Sequence, residues 1–172
     1  MNHEYKLKNN NIILYPISEC HLEMMRLYRN NKSNTKYLRK IKNISKKDQI
    51  DWYKNYLKNK KIYGFIIKEN HKLKKDVGTI FIYDIEKRSA EIGKIVIGDK
   101  NAHHMGIGQQ AIELLTDFGL HELSLNKIKA EVNTENISSL VSFIKAGYLI
   151  DKKEKLSNNQ YQYLLYKTKR SI

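Results

Sequence analysis

Three apolar runs follow one another with only short polar turns between them. They are "IYGFIIKE" from Ile62, "DVGTIFIYDIE" from Asp76 and "AEIGKIVIGD" from Ala90. The polar turns between them, Asn70 to Lys75 and Lys87 to Ser89, suggest an antiparallel meander. Other elements frame it. "IILYPIS", Ile12 to Ser18, reads as a strand ended by Pro16, the only proline. Ser18 then opens a helix with Leu22, Met25 and Leu27 to Tyr28 on its apolar side, and Ser45 caps a second with Ile50, Tyr53 and Leu57 at helical spacing. After the meander, a helix runs from Gly108 to Leu123 with Ile112, Leu115 and Phe118 to Gly119 inward. "KIKAEVN" is a strand ending at Asn133, and "NISSLVSFIKAGY" is a helix stopped by Gly147. A hairpin, "YLID" and "YQYLLYK", closes across Lys155 to Asn159. The order β-αα-βββ-α-β-α-ββ predicts an α+β fold with a largely antiparallel sheet flanked by helices. No linker divides residues 1–172, so one domain is expected.

The chain carries a formal net charge of +14. Its lysines are spread from Lys6 to Lys169 among many asparagines and isoleucines, which reads mainly as compositional bias and solvated surface. The remainder is an attraction for polyanionic ligands. No helix-turn-helix, zinc-finger or RNP pattern accompanies the charge, so nucleic acid is disfavoured as a partner. No apolar stretch is long enough to span a bilayer, so no membrane partner is expected. The opening residues lack the apolar core of a secretion signal. Cys20 is the only cysteine, so an internal disulfide is excluded and a cytoplasmic location is expected. His103 and His104 suggest a metal only superficially, because adjacent side chains diverge and no ligand set completes a site; no metal is expected.

The motif richest in chemistry is "HHMGIGQQAIELL", His103 to Leu115. Gly106 and Gly108 open a helix, where unpaired amides and the helix dipole attract a phosphate and where a missing Cβ lets one approach. A nucleotide P-loop is excluded, since Gln109 and Gln110 offer no lysine-hydroxyl pair. Gly106, Gly108 and Ala111 satisfy the dinucleotide fingerprint, but that motif follows its strand directly, and too little chain remains for its fold. A third pattern fits the whole order: "EIGKIVIGDK" (Glu91 to Lys100), "HHMGIG" (His103 to Gly108), "NTENISS" (Asn133 to Ser139) and "KAGY" (Lys145 to Tyr148). Together with "LYRNN" and "ISKKDQIDWY" in the front half, it resembles the GNAT acetyltransferase family, in its branch of ribosomal-protein and amino-sugar N-acetyltransferases. The resemblance runs from about Asn11 to Lys169.

The resemblance implies acetyl-CoA as co-substrate, held between two splayed parallel strands, one ending near Gly98 and one at Asn133. It implies that the amides of His104, Met105, Gly106, Ile107, Gly108 and Gln109 bind the pyrophosphate. The backbone of Ile95, Val96 and Ile97 would pair with the pantetheine arm, with an amide near Ile97 facing the oxyanion, and Asn133 and Asn136 would lie at the cofactor. His103 stands where that loop carries Gln or Arg, and Met105 where a polar residue is common. The usual acid, a tyrosine, is replaced by Phe143, which leaves Ser139 as the candidate acid; its plainer role is in the first helical turn. Glu91 is the candidate base and, by strand alternation, shares a face with Gly93 and Ile95. Arg29, Asn30 and Trp52 fall on the helices that shape the acceptor side.

The expected activity is direct transfer of an acetyl group to a primary amine of a small molecule or peptide. The positive charge favours an amino-sugar nucleotide and disfavours a polyamine, with a protein N-terminus as another acceptor. A non-catalytic acyl-CoA-binding module is the first alternative and a basic nucleic-acid-binding protein, resting on charge alone, the second; a homodimer is compatible with the enzyme.

Overall fold

The computed structural model describes residues 2–37, 42–157 and 159–169. The meander forms the centre of an eight-stranded sheet. Strands β1 (Leu7–Lys8), β2 (Ile12–Pro16), β3 (Tyr63–Glu69), β4 (Lys75–Glu86) and β5 (Ser89–Ile97) run antiparallel in sequence order. Strand β6 (Lys127–Asn133) then joins β5 in parallel, and β8 (Tyr161–Thr168) lies between β6 and β7 (Leu149–Lys155). Helix α4 (Ile107–Asp117) makes the β5–β6 crossover, as a parallel pair requires. The two-residue β1 and the short helix α2 (Lys32–Thr35) were not anticipated. In the closing hairpin, Asn158 lies outside the described residues.

One face of the sheet carries Phe65, Ile67, Ile80, Ile82, Ala90 and Ile92 against Ile107, Ala111, Ile112 and Leu115 of α4. The other carries Ile66 and Phe81, joined by Ile17 just past β2, against helices α1 (Leu22–Asn30) and α3 (Lys46–Lys58). Most of these sheet residues expose essentially nothing, and each such side chain contributes about 1.5–3 kcal/mol of transfer free energy. Alternation along β3 thus feeds two cores at once.

Ser45 caps α3 as expected: the Asp48 amide donates to its hydroxyl (3.1 Å), and the Ser45 amide donates back to Asp48 Oδ2 (2.9 Å). The buried face of α3 differs from the expected one. Ile50 and Leu57 are exposed, while Gln49, Tyr53 and Tyr56 face inward. The tyrosines win because they bury more area and find partners for their hydroxyls: the Gly64 amide donates to Tyr56 (3.0 Å), and Tyr53 donates to the Ile17 carbonyl (3.5 Å). Leu27 of α1 is likewise exposed, leaving Leu22 and Met25 inside.

The expected helix to Leu123 stops as an α-helix at Asp117 and widens into a π turn over Phe118–Glu122. That turn brings Phe118, Gly119 and Leu120 inward together. A Cβ on Gly119 would come within 2.6 Å of Ile128 Cδ1, so glycine lets the chain pass this close to β6 without displacing that side chain. Helix α5 (Ile137–Lys145) ends at Gly147 (φ +85°). The Gly147 amide donates to Ile144 O and the Tyr148 amide to Phe143 O, with the two aromatic rings in edge contact, which is a Schellman stop.

Candidate active site

Strands β5 and β6 pair only at Ser89↔Lys127, Ala90↔Ile128 and Glu91↔Lys129. Beyond Glu91, β5 continues on β4 to Ile97, and beyond Lys129, β6 continues on β8 to Asn133. Their inner edges therefore part into a wedge whose main-chain groups have no partner strand. Above it lies the glycine loop. Asp99 anchors its start, accepting from the Asn101 amide (2.9 Å) and pairing with Lys75 (2.5 Å). His104 and Gly106 are left-handed (φ +62° and +69°), and α4 begins at Ile107. The first amide bonded within the helix is that of Gln110, to Gly106 O (3.1 Å). The six amides from His104 to Gln109 donate to no acceptor among the described residues. The two glycines have separate reasons. Gly106 needs its backbone angle, whereas a Cβ on Gly108 would meet nothing within 4 Å. Such a row of donors with open space before it suits a pyrophosphate.

The other side of the wedge is built from side chains. Tyr83 of β4 donates a hydrogen bond from its hydroxyl to Glu91 Oε1, and Lys94 Nζ lies 4.0 Å from the centre of the Tyr83 ring. Burial pushes the Glu91 carboxyl above the usual range; the Tyr83 hydrogen bond opposes this, and Glu131 and Asp84 add to it. Burial and the Glu91 carboxylate both raise Tyr83, so the phenol stays protonated. Burial lowers the Lys94 ammonium and the Arg29 guanidinium. Arg29 Nε is buried and has no hydrogen-bond partner among the described residues. Tyr28, beside it on α1, lays its ring where a Cβ on Gly98 would stand.

A family model described as an acetyltransferase (GNAT) domain matches residues 11–148, most of the chain and all of the wedge. The chain belongs to the GNAT acetyltransferase family. GNAT enzymes take acetyl-CoA as co-substrate, and the loop and wedge fit that molecule's pyrophosphate and extended arm. A probable N-acetyltransferase of Bacillus subtilis, YjcK, is 33% identical over 75 residues, 42% of this chain and 40% of that protein. An uncharacterised N-acetyltransferase of Bacillus licheniformis, p20, is 35% identical over 96 residues, 52% of this chain and 51% of that protein. The chain thus aligns with about half or less of the length of these curated relatives. Spermidine N-acetyltransferase from Vibrio cholerae, solved with CoA and spermine, superposes with a TM-score of 0.82 at 19% identity, over 93% of this chain and 96% of that one. At that identity the likeness establishes the GNAT fold.

Within this GNAT frame the expected site residues fall as follows. Ile95, Val96 and Ile97 line the open edge of β5. His103 turns its ring onto the Ile97 carbonyl (Nε2···O 3.0 Å), and Met105 packs against the larger core. Gln109 bonds Glu113 through its side chain (2.9 Å), leaving its amide to the loop. Asn136 caps α5, accepting from the Ser139 amide (3.2 Å) and the Ser138 hydroxyl (3.1 Å), while Asn133 accepts from the Glu135 amide (2.9 Å). Both asparagines therefore brace the mouth of the wedge at the end of β6. Ser139 is half-buried in the first turn of α5, and its hydroxyl bonds no described residue. Phe143 is deeply buried against Tyr148.

Of the residues expected on the acceptor side, Trp52 stacks on Tyr56 (centroids 5.2 Å apart). The Asn30 amide is engaged with Ile44, donating to its carbonyl and accepting from its N–H at 2.9 Å each. One expectation is overturned. Glu91 shares its face with Gly93 but not with Ile95, which packs with Ala90 and Ile92 on the α4 side. Between the pairs Phe81↔Gly93 and Thr79↔Val96, β5 carries one extra residue, with Lys94 at φ +51°. That bulge reverses the alternation.

Tyr83 and Lys94 went unrecognised in the sequence, for a related reason. Continuing evenly from Glu86↔Ser89, Tyr83 would oppose Ile92. An irregularity at Asp84 (φ +51°) moves it onto Glu91. No residue pattern announces such a slip. Among the described residues, no group of three or more His, Cys, Asp or Glu is placed to hold a metal ion, and no described helix is long and apolar enough to cross a membrane.

Proposed function

We propose that the chain is an acetyl-CoA-dependent N-acetyltransferase that passes an acetyl group directly to a primary amine. The carrying observation is the row of six unbonded amides, His104 to Gln109, facing open space at Gly108 beside the parted strands. Acetyl-CoA, when bound, supplies an acetyl thioester. The open edge of Ile95 to Ile97 orients its arm, and Asn133 and Asn136 flank it from β6. Glu91 takes the proton that the acceptor ammonium sheds, and a raised pKa makes it a better base than an ordinary carboxylate. Ser139, with its unengaged hydroxyl at the head of α5, returns a proton to the leaving thiolate.

For the acceptor we infer an amine that also carries an anionic group, as an amino-sugar nucleotide does. Arg29 supports this reading: a half-buried guanidinium with an unpartnered Nε calls for a carboxylate or phosphate. A polyamine is the second reading. Asp84, Glu91 and Glu131 crowd the Tyr83 hydroxyl with carboxylates, and the Vibrio cholerae neighbour is a spermidine acetyltransferase. A protein N-terminus remains an arm of the test.

The test is calorimetric titration of acetyl-CoA into the purified protein, with NADH and ATP as controls. A transfer assay follows on a panel of an amino-sugar nucleotide, spermidine and a peptide with a free N-terminus. Selective acetyl-CoA binding and transfer to the anionic amine are expected. Binding without transfer to any amine would leave an acyl-CoA-binding module, and no binding by folded protein would overturn the proposal.

A further inference from the structure

The Tyr83–Glu91 contact exists because three unrelated features coincide. The slip at Asp84 brings Tyr83 opposite Glu91 in the ladder. Gly93, next on the same face, has no side chain; a Cβ there would stand 2.7 Å from the Tyr83 hydroxyl, well inside contact distance. The bulge at Lys94 then swings its ammonium onto the Tyr83 ring, 4.0 Å from the centroid, and pins the ring from that side. A phenol serving only as core would need none of this. Tyr83 is half-buried against the α1–α3 core, yet its polar end is led through a gap to a single carboxylate oxygen.

We propose that Tyr83 is the positioning residue of Glu91: its hydroxyl, admitted by the gap at Gly93, holds the carboxylate in the orientation from which it takes the acceptor's proton. This rests on Glu91 acting as the base. The charged groups around the carboxylate are Asp84 on β4, Glu131 on β6 and Lys94 on its own strand, with Arg29 of α1 acting on Lys94. The two acids and burial favour the protonated form, and Tyr83 is the strongest influence in the opposite direction. Without the hydroxyl, Glu91 would hold its proton to higher pH and would swing free of one anchor. Tyr83 itself exchanges no proton, because burial and its acidic neighbours keep the phenol protonated.

Tyr83→Phe removes one oxygen and keeps the ring under Lys94. Gly93→Ala keeps the hydroxyl and closes its route. Both are compared with wild type by carbon NMR titration of glutamate carboxyls, with Glu91→Gln identifying the resonance. The same proteins are assayed for kcat/KM against pH with whichever panel amine wild type acetylates. In both variants the Glu91 midpoint and the acid limb of the rate profile should move to higher pH. Turnover on the acid side should fall roughly tenfold, as loss of a hydrogen bond to a charged group predicts, with acetyl-CoA affinity unchanged. An unmoved Glu91 midpoint in Tyr83→Phe overturns the proposal, as does a wild-type profile in Gly93→Ala. If wild type neither binds acetyl-CoA nor acetylates an amine, the enzymatic reading fails by itself, and the carboxyl titration still decides whether Tyr83 governs Glu91.

Discussion

The two sides of the wedge are made of different material. The loop side is main chain: amides from His104 to Gln109, freed by one glycine's backbone angle and one glycine's missing side chain. The opposite side is side chain: Tyr83, Glu91, Lys94 and Arg29, brought together from β4, β5 and α1. A backbone site depends little on which side chains surround it, so His103 and Met105 can depart from the family pattern without removing a single donor. A side-chain site has no such tolerance, because moving one residue by one register position empties it.

The sharpest way to break this comparison is a pair of substitutions. Glu91→Gln should lower turnover by about a hundredfold or more while leaving acetyl-CoA affinity intact, since it removes proton transfer alone. Gly108→Leu should do the reverse, weakening acetyl-CoA binding by roughly a hundredfold, about 2.7 kcal/mol, by filling the space before the amides. Because Gly108 sits in the first turn of α4 with normal helical geometry, the same change should raise the unfolding free energy by about 0.5 kcal/mol. Steady-state kinetics, calorimetry and denaturation separate these outcomes. If Gly108→Leu bound acetyl-CoA normally, the loop would not be the pyrophosphate site.

A smaller effect tests the frame beside the loop. Glu69, at the end of β3, is almost wholly buried and accepts from the amides of His71, Lys72, Leu73 and Lys74. Burial pushes its carboxyl up, but those four amides together pull it down to about 2. A depressed folded-state pKa stabilises the protein above the unfolded value, near 4.5, and that contribution fades as pH falls toward 2. Glu69→Gln should therefore cost about 2 kcal/mol at pH 7, and the deficit should shrink between pH 4.5 and 2. Urea denaturation across that range checks it; a pH-independent deficit would mean that packing, not charge, holds the turn.

The smallest effect concerns Asn136. Asn136→Ala should lose about 1 kcal/mol of stability as the cap of α5 is removed, and Asn136→Asp should restore it. If Asn136 also meets the cofactor, acetyl-CoA affinity should fall in Asn136→Ala by more than the cap alone explains, which calorimetry on both variants would show.

The element order was legible in the sequence because each element is written locally. The three apolar runs, the caps at Ser45 and Gly147 and the glycine pair act over a few residues, and the fold places them where those signals point. The loop of unbonded amides was legible for the same reason, since consecutive amides at a helix start are set by the chain that makes them. Three things were decided only by tertiary structure. The inward face of α3 took Tyr56 rather than Ile50 and Leu57 because Gly64 and Phe81, both outside the helix, gave it partners. The face of Ile95 was reversed by the bulge at Lys94, and the pairing of Tyr83 with Glu91 by the slip at Asp84. A strand's alternation can be read from its residues, but one extra residue in a ladder inverts it, and the ladder partner that accommodates that residue is known only once the sheet has formed.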